Sequence, residues 1–128
     1  MQKMLAEFFS EEELRCKSGC GRAAMHAEFL DRLDRLRRRW GQPLILTSAY
    51  RCPEYNVVVS TSGKRGPHTT GRAVDVLIRG HDALKLLLLA SELGFTGFGV
   101  QQKGDVRFLH LDDLGAGAGR PRPFLWSY

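Results

Sequence analysis

The sequence predicts an α+β fold, a small and mostly antiparallel sheet with helices packed on one side. Three observations carry this reading. One long stretch of helical periodicity comes early, between Ala24 and Trp40. Short apolar runs come later, bounded by Gly and Pro. Two of those runs are joined by a turn at Lys103-Gly104-Asp105, a hairpin rather than a crossover. The 128 residues, of 14.4 kDa, correspond to one domain, residues 1–128, with an N-terminal arm over 1–22.

The elements follow in order. Ser10-Glu11-Glu12-Glu13 has the form of a capping box and predicts a short helix, which Gly19, Cys20 and Gly21 end. Met25, Phe29, Leu33, Leu36 and Trp40 step by three or four and predict one buried stripe. Gly41 stops this helix and Pro43 prevents its return. Leu44–Thr47 reads as a buried strand. Residues 52–67 read as a loop with a helical turn at Glu54–Val58. Ala73–Ile78 is a second strand. Asp82 is expected to cap a helix over Ala83–Leu93, with Leu84, Leu87 and Leu88 against the sheet. Gly97–Val100, Val106–Leu111 and a closing strand near Phe124–Tyr128 complete the sheet.

Composition narrows the classes of function. Hydrophobic residues make up 43% and charged residues 26%, a globular mixture. The longest apolar run, Ala83–Ala90, is too short to span a membrane. A net charge of +5 suits an acidic partner such as nucleic acid, an anionic membrane or wall polymer. The basic run Arg35–Arg39 reads as the solvated face of the long helix. No nucleic-acid-reading motif accompanies it. The first seven residues, Met1–Glu7, lack the apolar core of a signal peptide. The three cysteines, Cys16, Cys20 and Cys52, read as reduced thiols. Cys16 and Cys20 with His26 would make a loose metal set that lacks a fourth ligand.

Three polar residues stand out. Asp75 lies inside an apolar strand, where an unpaired carboxylate is costly. His68 lies seven residues earlier, before a glycine, and His110 sits between Leu109 and Leu111. Two imidazoles and one carboxylate are a ligand set for catalytic zinc, with the fourth position left to water.

Their spacing is specific. His68-Thr69-Thr70-Gly71-Arg72-Ala73-Val74-Asp75 resembles the metal motif of the M15 zinc peptidases, the D-Ala-D-Ala carboxypeptidases and peptidoglycan endopeptidases. Ser48-Ala49-Tyr50-Arg51, Phe108–Asp112, Gly97–Val100 and Arg122–Tyr128 resemble further segments of the small, phage-lysin-like branch. The similarity runs from about Leu44 to the C-terminus and is looser before it. It implies the fold shared with the hedgehog signalling domain. It implies Zn2+ bound by His68, Asp75 and His110, and Arg51 donating to the substrate carbonyl or its oxyanion. It implies hydrolysis next to a D-amino acid in the stem peptide of peptidoglycan. A chain of this kind is expected to be a monomer and to stay cytoplasmic until release onto the wall.

The general base departs from the family pattern. Relatives place Glu or His three or two residues before the last metal histidine, where this chain has Arg107 and Phe108. Asp112 shares a strand face with His110 and is the first candidate, followed by Asp105 and Asp113. The other role for Asp112 is to accept the second ring N–H of His110. Gly66 also departs, because a serine often sits two before the first histidine. His26 and His81 receive no role; Tyr50 and Trp126 read first as aromatic core, with lining of a cleft as the alternative. The alternatives are a non-catalytic zinc-binding module of the same fold and a basic nucleic-acid binder. Salt-sensitive DNA affinity that survives chelation would mark the second.

Overall fold

A computed structural model describes residues 2–128; Met1, at the head of the N-terminal stretch, lies outside them. The elements run α1 (Glu11–Leu14), α2 (Ala27–Trp40), β1 (Leu46–Ser48), α3 (Pro53–Val59), β2 (Ala73–Leu77), α4 (Gly80–Glu92), β3 (Gly97–Gln101), β4 (Phe108–Asp112) and β5 (Phe124–Ser127). Two short 3-10 turns, Gly63–Arg65 and Pro67–Thr70, lie between α3 and β2. None of the described helices is long and apolar enough to cross a membrane.

The sheet order is β1-β2-β4-β3-β5. All neighbours are antiparallel except β3 and β5. Side chains alternate between the faces of a strand. Val74, Val76, Leu109, Leu111 and Phe98 therefore share one face and pack into the core with Phe29, Leu33 and Leu36 of α2 and Leu86 of α4. The intervening residues share the opposite face. There one row crosses all five strands: Ser48, Asp75, His110, Gly99, Trp126.

The capping box at Ser10 is present in full. Its hydroxyl accepts from the Glu13 N–H, and the Glu13 carboxylate accepts from the Ser10 N–H. The arm reaches the core through Phe9 and Leu14, both buried. Asp34, in α2, pins it by accepting the backbone N–H groups of Glu7 at 2.9 Å and Phe8 at 3.1 Å.

Several expectations are corrected. The helix α2 begins at Ala27, with His26 as its N-cap; the His26 ring accepts from the Glu28 N–H. The stretch around Leu44 gives an edge strand, shifted to Leu46–Ser48, with Ile45 exposed. In α4 the cap is Arg79, and Asp82 lies in the first turn. Its core face is Ala83, Leu86 and Ala90, whereas Leu84 and Leu88 are each 56% exposed. Four consecutive leucines, Leu86–Leu89, give periodicity no unique phase, and the small Ala83 and Ala90 decide which face approaches the sheet.

This assignment predicts unequal costs. Leu86→Ala should destabilise the fold by about 2–5 kcal/mol in urea unfolding. Leu88→Ala should change stability by about 0.5 kcal/mol or less. The reverse order would restore the face expected from the sequence.

Candidate metal centre

His68, Asp75 and His110 arrive from three places on the chain. Asp75 and His110 are cross-strand partners on β2 and β4. His68 comes from the 3-10 turn Pro67–Thr70, which is turned into β2 by Gly71. Gly71 has φ 76°, and a Cβ there would meet the Ala24 carbonyl oxygen. The three ligand atoms lie within 4.8 Å of one another, and all three residues are buried. Asp75 Oδ1 stands 3.2 Å from His68 Nε2 and 3.3 Å from His110 Nδ1.

The outer nitrogens fix the tautomers. His68 Nδ1 lies 2.7 Å from the Ala49 carbonyl oxygen, which can only accept, so Nδ1 carries the proton and Nε2 presents a lone pair. His110 Nε2 lies 2.7 Å from Asp112 Oδ2 and donates to that carboxylate, which leaves Nδ1 as the lone-pair atom. His110 Nδ1 is buried without a hydrogen-bond partner. It is near Asp75 but not aligned for a bond. A buried nitrogen lone pair facing a carboxylate and a second imidazole lone pair fits a divalent metal ion. Burial raises the Asp75 pKa, but the His68 and His110 imidazoles more than offset it and hold the carboxyl below its ordinary range. Burial lowers the His110 pKa, while Asp112 and Asp75 raise it further than burial lowers it.

Asp112 lies behind this centre. Its carboxylate is fully buried and accepts from His110, from the Leu114 N–H at 3.2 Å, and from Arg122 Nε at 3.0 Å and Nη2 at 2.8 Å. Both oxygens are thus occupied, and Asp112 is not among the residues lining the cleft. Such contacts suit the other role weighed for Asp112, accepting the second ring N–H of His110. Asp113 is no better placed, because Arg32 and Arg72 hold it at 2.6 and 2.9 Å. Asp105 is exposed in the β3–β4 turn and also lies off the cleft.

Glycines make room for this second layer. A Cβ on Gly97 would collide with the Asp112 carboxylate. One on Gly99 would stand 2.7 Å from Trp126 Nε1 and 2.9 Å from His110 Cβ. The Trp126 ring therefore lies over His110, with centroids 5.0 Å apart, and lines the cleft rather than the core. Tyr50, by contrast, is buried as expected.

Arg51 is held across the row from β1. Its Nε donates to Ser48 Oγ at 3.1 Å, Nη1 to Asn56 Oδ1 at 3.1 Å and Nη2 to Asp75 Oδ2 at 3.5 Å. The serine of the Ser48–Arg51 segment thus positions the arginine. Asn56 is fully buried and donates in turn to Ser62 Oγ at 2.9 Å. Ser62 also explains Gly66: a Cβ at 66 would collide with its side chain and stand 2.6 Å from Asn56 Nδ2.

The cleft has a volume of about 990 Å³, and Arg51, Arg65, Arg120 and Arg122 are the cations on its wall. Among the described residues of its lining, Asp75 is the one side-chain carboxylate and His68 and His110 are the two imidazoles. Arg122, Gly97 and Asn56 receive no individual role from sequence reasoning. The paired glycines of β3 opposite His110 and Asp112 are the signal that could have shown the crowding.

Burial raises the Asp112 pKa, but His110 and Arg122 outweigh it and bring the pKa down to about 2 from an ordinary 3.8. A depressed carboxyl contributes stability above its unfolded pKa and loses it as pH falls toward the folded value. The metal-free protein should therefore lose about 2 kcal/mol from this group between roughly pH 5 and pH 2. In urea unfolding across that range, Asp112→Asn should have the shallower acid limb. Equal slopes would show that Asp112 is not paired as described.

A family model described as Peptidase M15 matches residues 5–112. It takes in the N-terminal arm, further back than the motifs suggested, and stops before β5. No curated protein and no solved structure gives a match. The matched segment spans α1 to the end of β4 and contains all three ligand residues as well as Arg51. The chain belongs to the peptidase M15 family, whose members are generally metal-dependent.

Proposed function

We propose that the protein is a zinc peptidase that hydrolyses bonds next to D-amino acids in the peptide of bacterial cell wall. One observation carries the reading: three buried ligand atoms converge at the wall of a cleft, with each outer imidazole nitrogen already tied to an acceptor. His68 Nε2, Asp75 Oδ1 and His110 Nδ1 would hold the ion. When bound, zinc supplies Lewis-acid polarisation of a carbonyl and activation of water near neutral pH.

The chain's own residues do the rest. Ser48 and Asn56 hold the Arg51 guanidinium against the cleft, so its remaining N–H groups are preorganised for a carbonyl oxygen that gains charge. Asp112 acts through His110, holding the Nε2 proton and the ring orientation, while Arg122 keeps Asp112 ionised. Trp126 and Tyr128 wall the cleft. Arg65 and Arg120 place positive charge on the cleft wall, which suits a peptide that carries carboxylates.

A second reading is favoured by one observation. Among the described residues lining the cleft, no side-chain carboxylate or imidazole lies outside the ligand set to take the proton from water. A non-catalytic zinc-binding module would look the same. The two separate by digestion of purified peptidoglycan and short muropeptides with the zinc-loaded protein. Release of D-Ala or of cleaved cross-links, abolished in His110→Ala, supports the peptidase. Bound zinc with no product from any wall peptide supports the module.

Two variants refine the peptidase reading. Arg51→Lys should lower kcat by about 10²–10³-fold with a smaller change in KM, measured on the best muropeptide. Asp112→Ala should weaken zinc binding by about 10–100-fold in competition with a chelator. An Asp112→Ala variant with unchanged zinc affinity but no activity would return Asp112 to the role of base.

A further inference from the structure

Outside the cleft, Cys16, Cys20 and Cys52 bring three sulfurs within 4.8 Å of one another. All are free thiols; Cys16 and Cys52 are buried and Cys20 is exposed. The sequence alone grouped Cys16 and Cys20 with His26. The structure replaces that histidine with Cys52, because His26 caps α2 and its ring faces Arg72 at 2.9 Å.

The spacing favours a metal over a disulfide. Cys16 Sγ and Cys52 Sγ are 3.7 Å apart. A disulfide bond needs about 2.05 Å. A tetrahedral zinc site with Zn–S of about 2.3 Å sets neighbouring sulfurs about 3.8 Å apart. The Cys52 backbone N–H donates to Cys16 Sγ at 3.3 Å, a bond that supports a sulfur carrying negative charge. Ser18 Oγ stands 3.2 Å from Cys16 Sγ and 3.6 Å from Cys52 Sγ, beside the same pair.

The surroundings explain what an ion would add. Between α1 and α2 the chain forms neither helix nor strand. Around the thiols the buried apolar group is small: Tyr50, with Met25 and Tyr55 partly buried beside it. Backbone bonds tie this loop within itself, Cys16 N–H to Arg22 O at 2.8 Å, and at its two ends, Tyr50 N–H to Leu14 O at 3.2 Å and His26 N–H to Gly71 O at 2.9 Å. Cys52 directly follows Arg51, so whatever fixes the thiols also fixes the arginine's backbone.

We propose that Cys16, Cys20 and Cys52 bind one soft divalent ion, of which zinc is the best fit, in a second and structural metal centre. It staples the loop before α2 to the start of α3, next to Arg51. The fourth position falls to solvent beside the Ser18 hydroxyl. This inference does not depend on the peptidase reading.

The test uses the full chain, reduced, with Co2+ as probe. His68→Ala/His110→Ala removes the cleft ligands and should still bind one equivalent of Co2+ with thiolate-to-cobalt charge-transfer absorption. Adding Cys20→Ser, at an exposed position, should weaken that binding by about 100-fold while circular dichroism stays unchanged. Ser18→Cys should strengthen it about tenfold or more and increase the absorption, because it completes four thiolates. Should the double variant fail to fold, the wild type should bind one equivalent with the sulfur signature, whatever the cleft itself takes up. Absence of that signature, its full retention in Cys20→Ser, or a Cys16–Cys52 disulfide found by thiol counting in the purified protein would each overturn the proposal.

Discussion

The structure depends on one buried carboxylate. Asp75 sits in the middle of the sheet, where an isolated charge would cost several kcal/mol. It is tolerated because Arg51 donates to one oxygen, while the other faces the inner nitrogens of His68 and His110 at 3.2 and 3.3 Å, an arrangement that a divalent ion would complete. The pleat makes this possible. Val74 and Val76 face the core, so Asp75 must face the other way, and its cross-strand partner there is His110. The same alternation that builds the core therefore builds the ligand set. A one-residue slip of β2 against β4 would send Asp75 into the apolar core.

From that point the site grows outward in two directions. Toward β1, Asp75 leads to Arg51, then to Ser48 and Asn56, then to Ser62 over Gly66. Toward β5, His110 leads to Asp112, then to Arg122, with Gly97 and Gly99 leaving the space that these groups and Trp126 occupy. The first direction orients a cation at the cleft, and the second locks an imidazole tautomer. In the first direction only the step from Asp75 to Arg51 is long-range in sequence, and in the second the step from Asp112 to Arg122 spans ten residues. Each ties one of the three converging residues to a side chain outside that cluster.

The sequence made the centre legible because its pattern is dense. His68, Gly71 and Asp75 fall within one short segment, and the turn chemistry of Gly71 and the strand alternation around Asp75 are both local. His110 could be added because a histidine between two leucines in a strand is conspicuous. The α1 capping box and the α2 stripe were readable for the same reason. Other features were hidden by distance or degeneracy. Arg122 meets Asp112 only because β5 returns beside β3, and Cys52 meets Cys16 only after β1 has been laid down. In α4, the leucine run gave several equivalent phases, and Ala83 and Ala90 settled the face. The role proposed for Asp112 rests on which side of the His110 ring its carboxylate reaches, and shared strand face alone leaves that open.

The most direct test is where a bound ion sits. A crystal of the zinc-loaded protein, examined by anomalous diffraction at the zinc edge, should show a peak about 2.0–2.2 Å from His68 Nε2, Asp75 Oδ1 and His110 Nδ1. A zinc-loaded crystal with no peak among those three atoms, or with His110 bound through Nε2 and Asp112 displaced, would contradict the account.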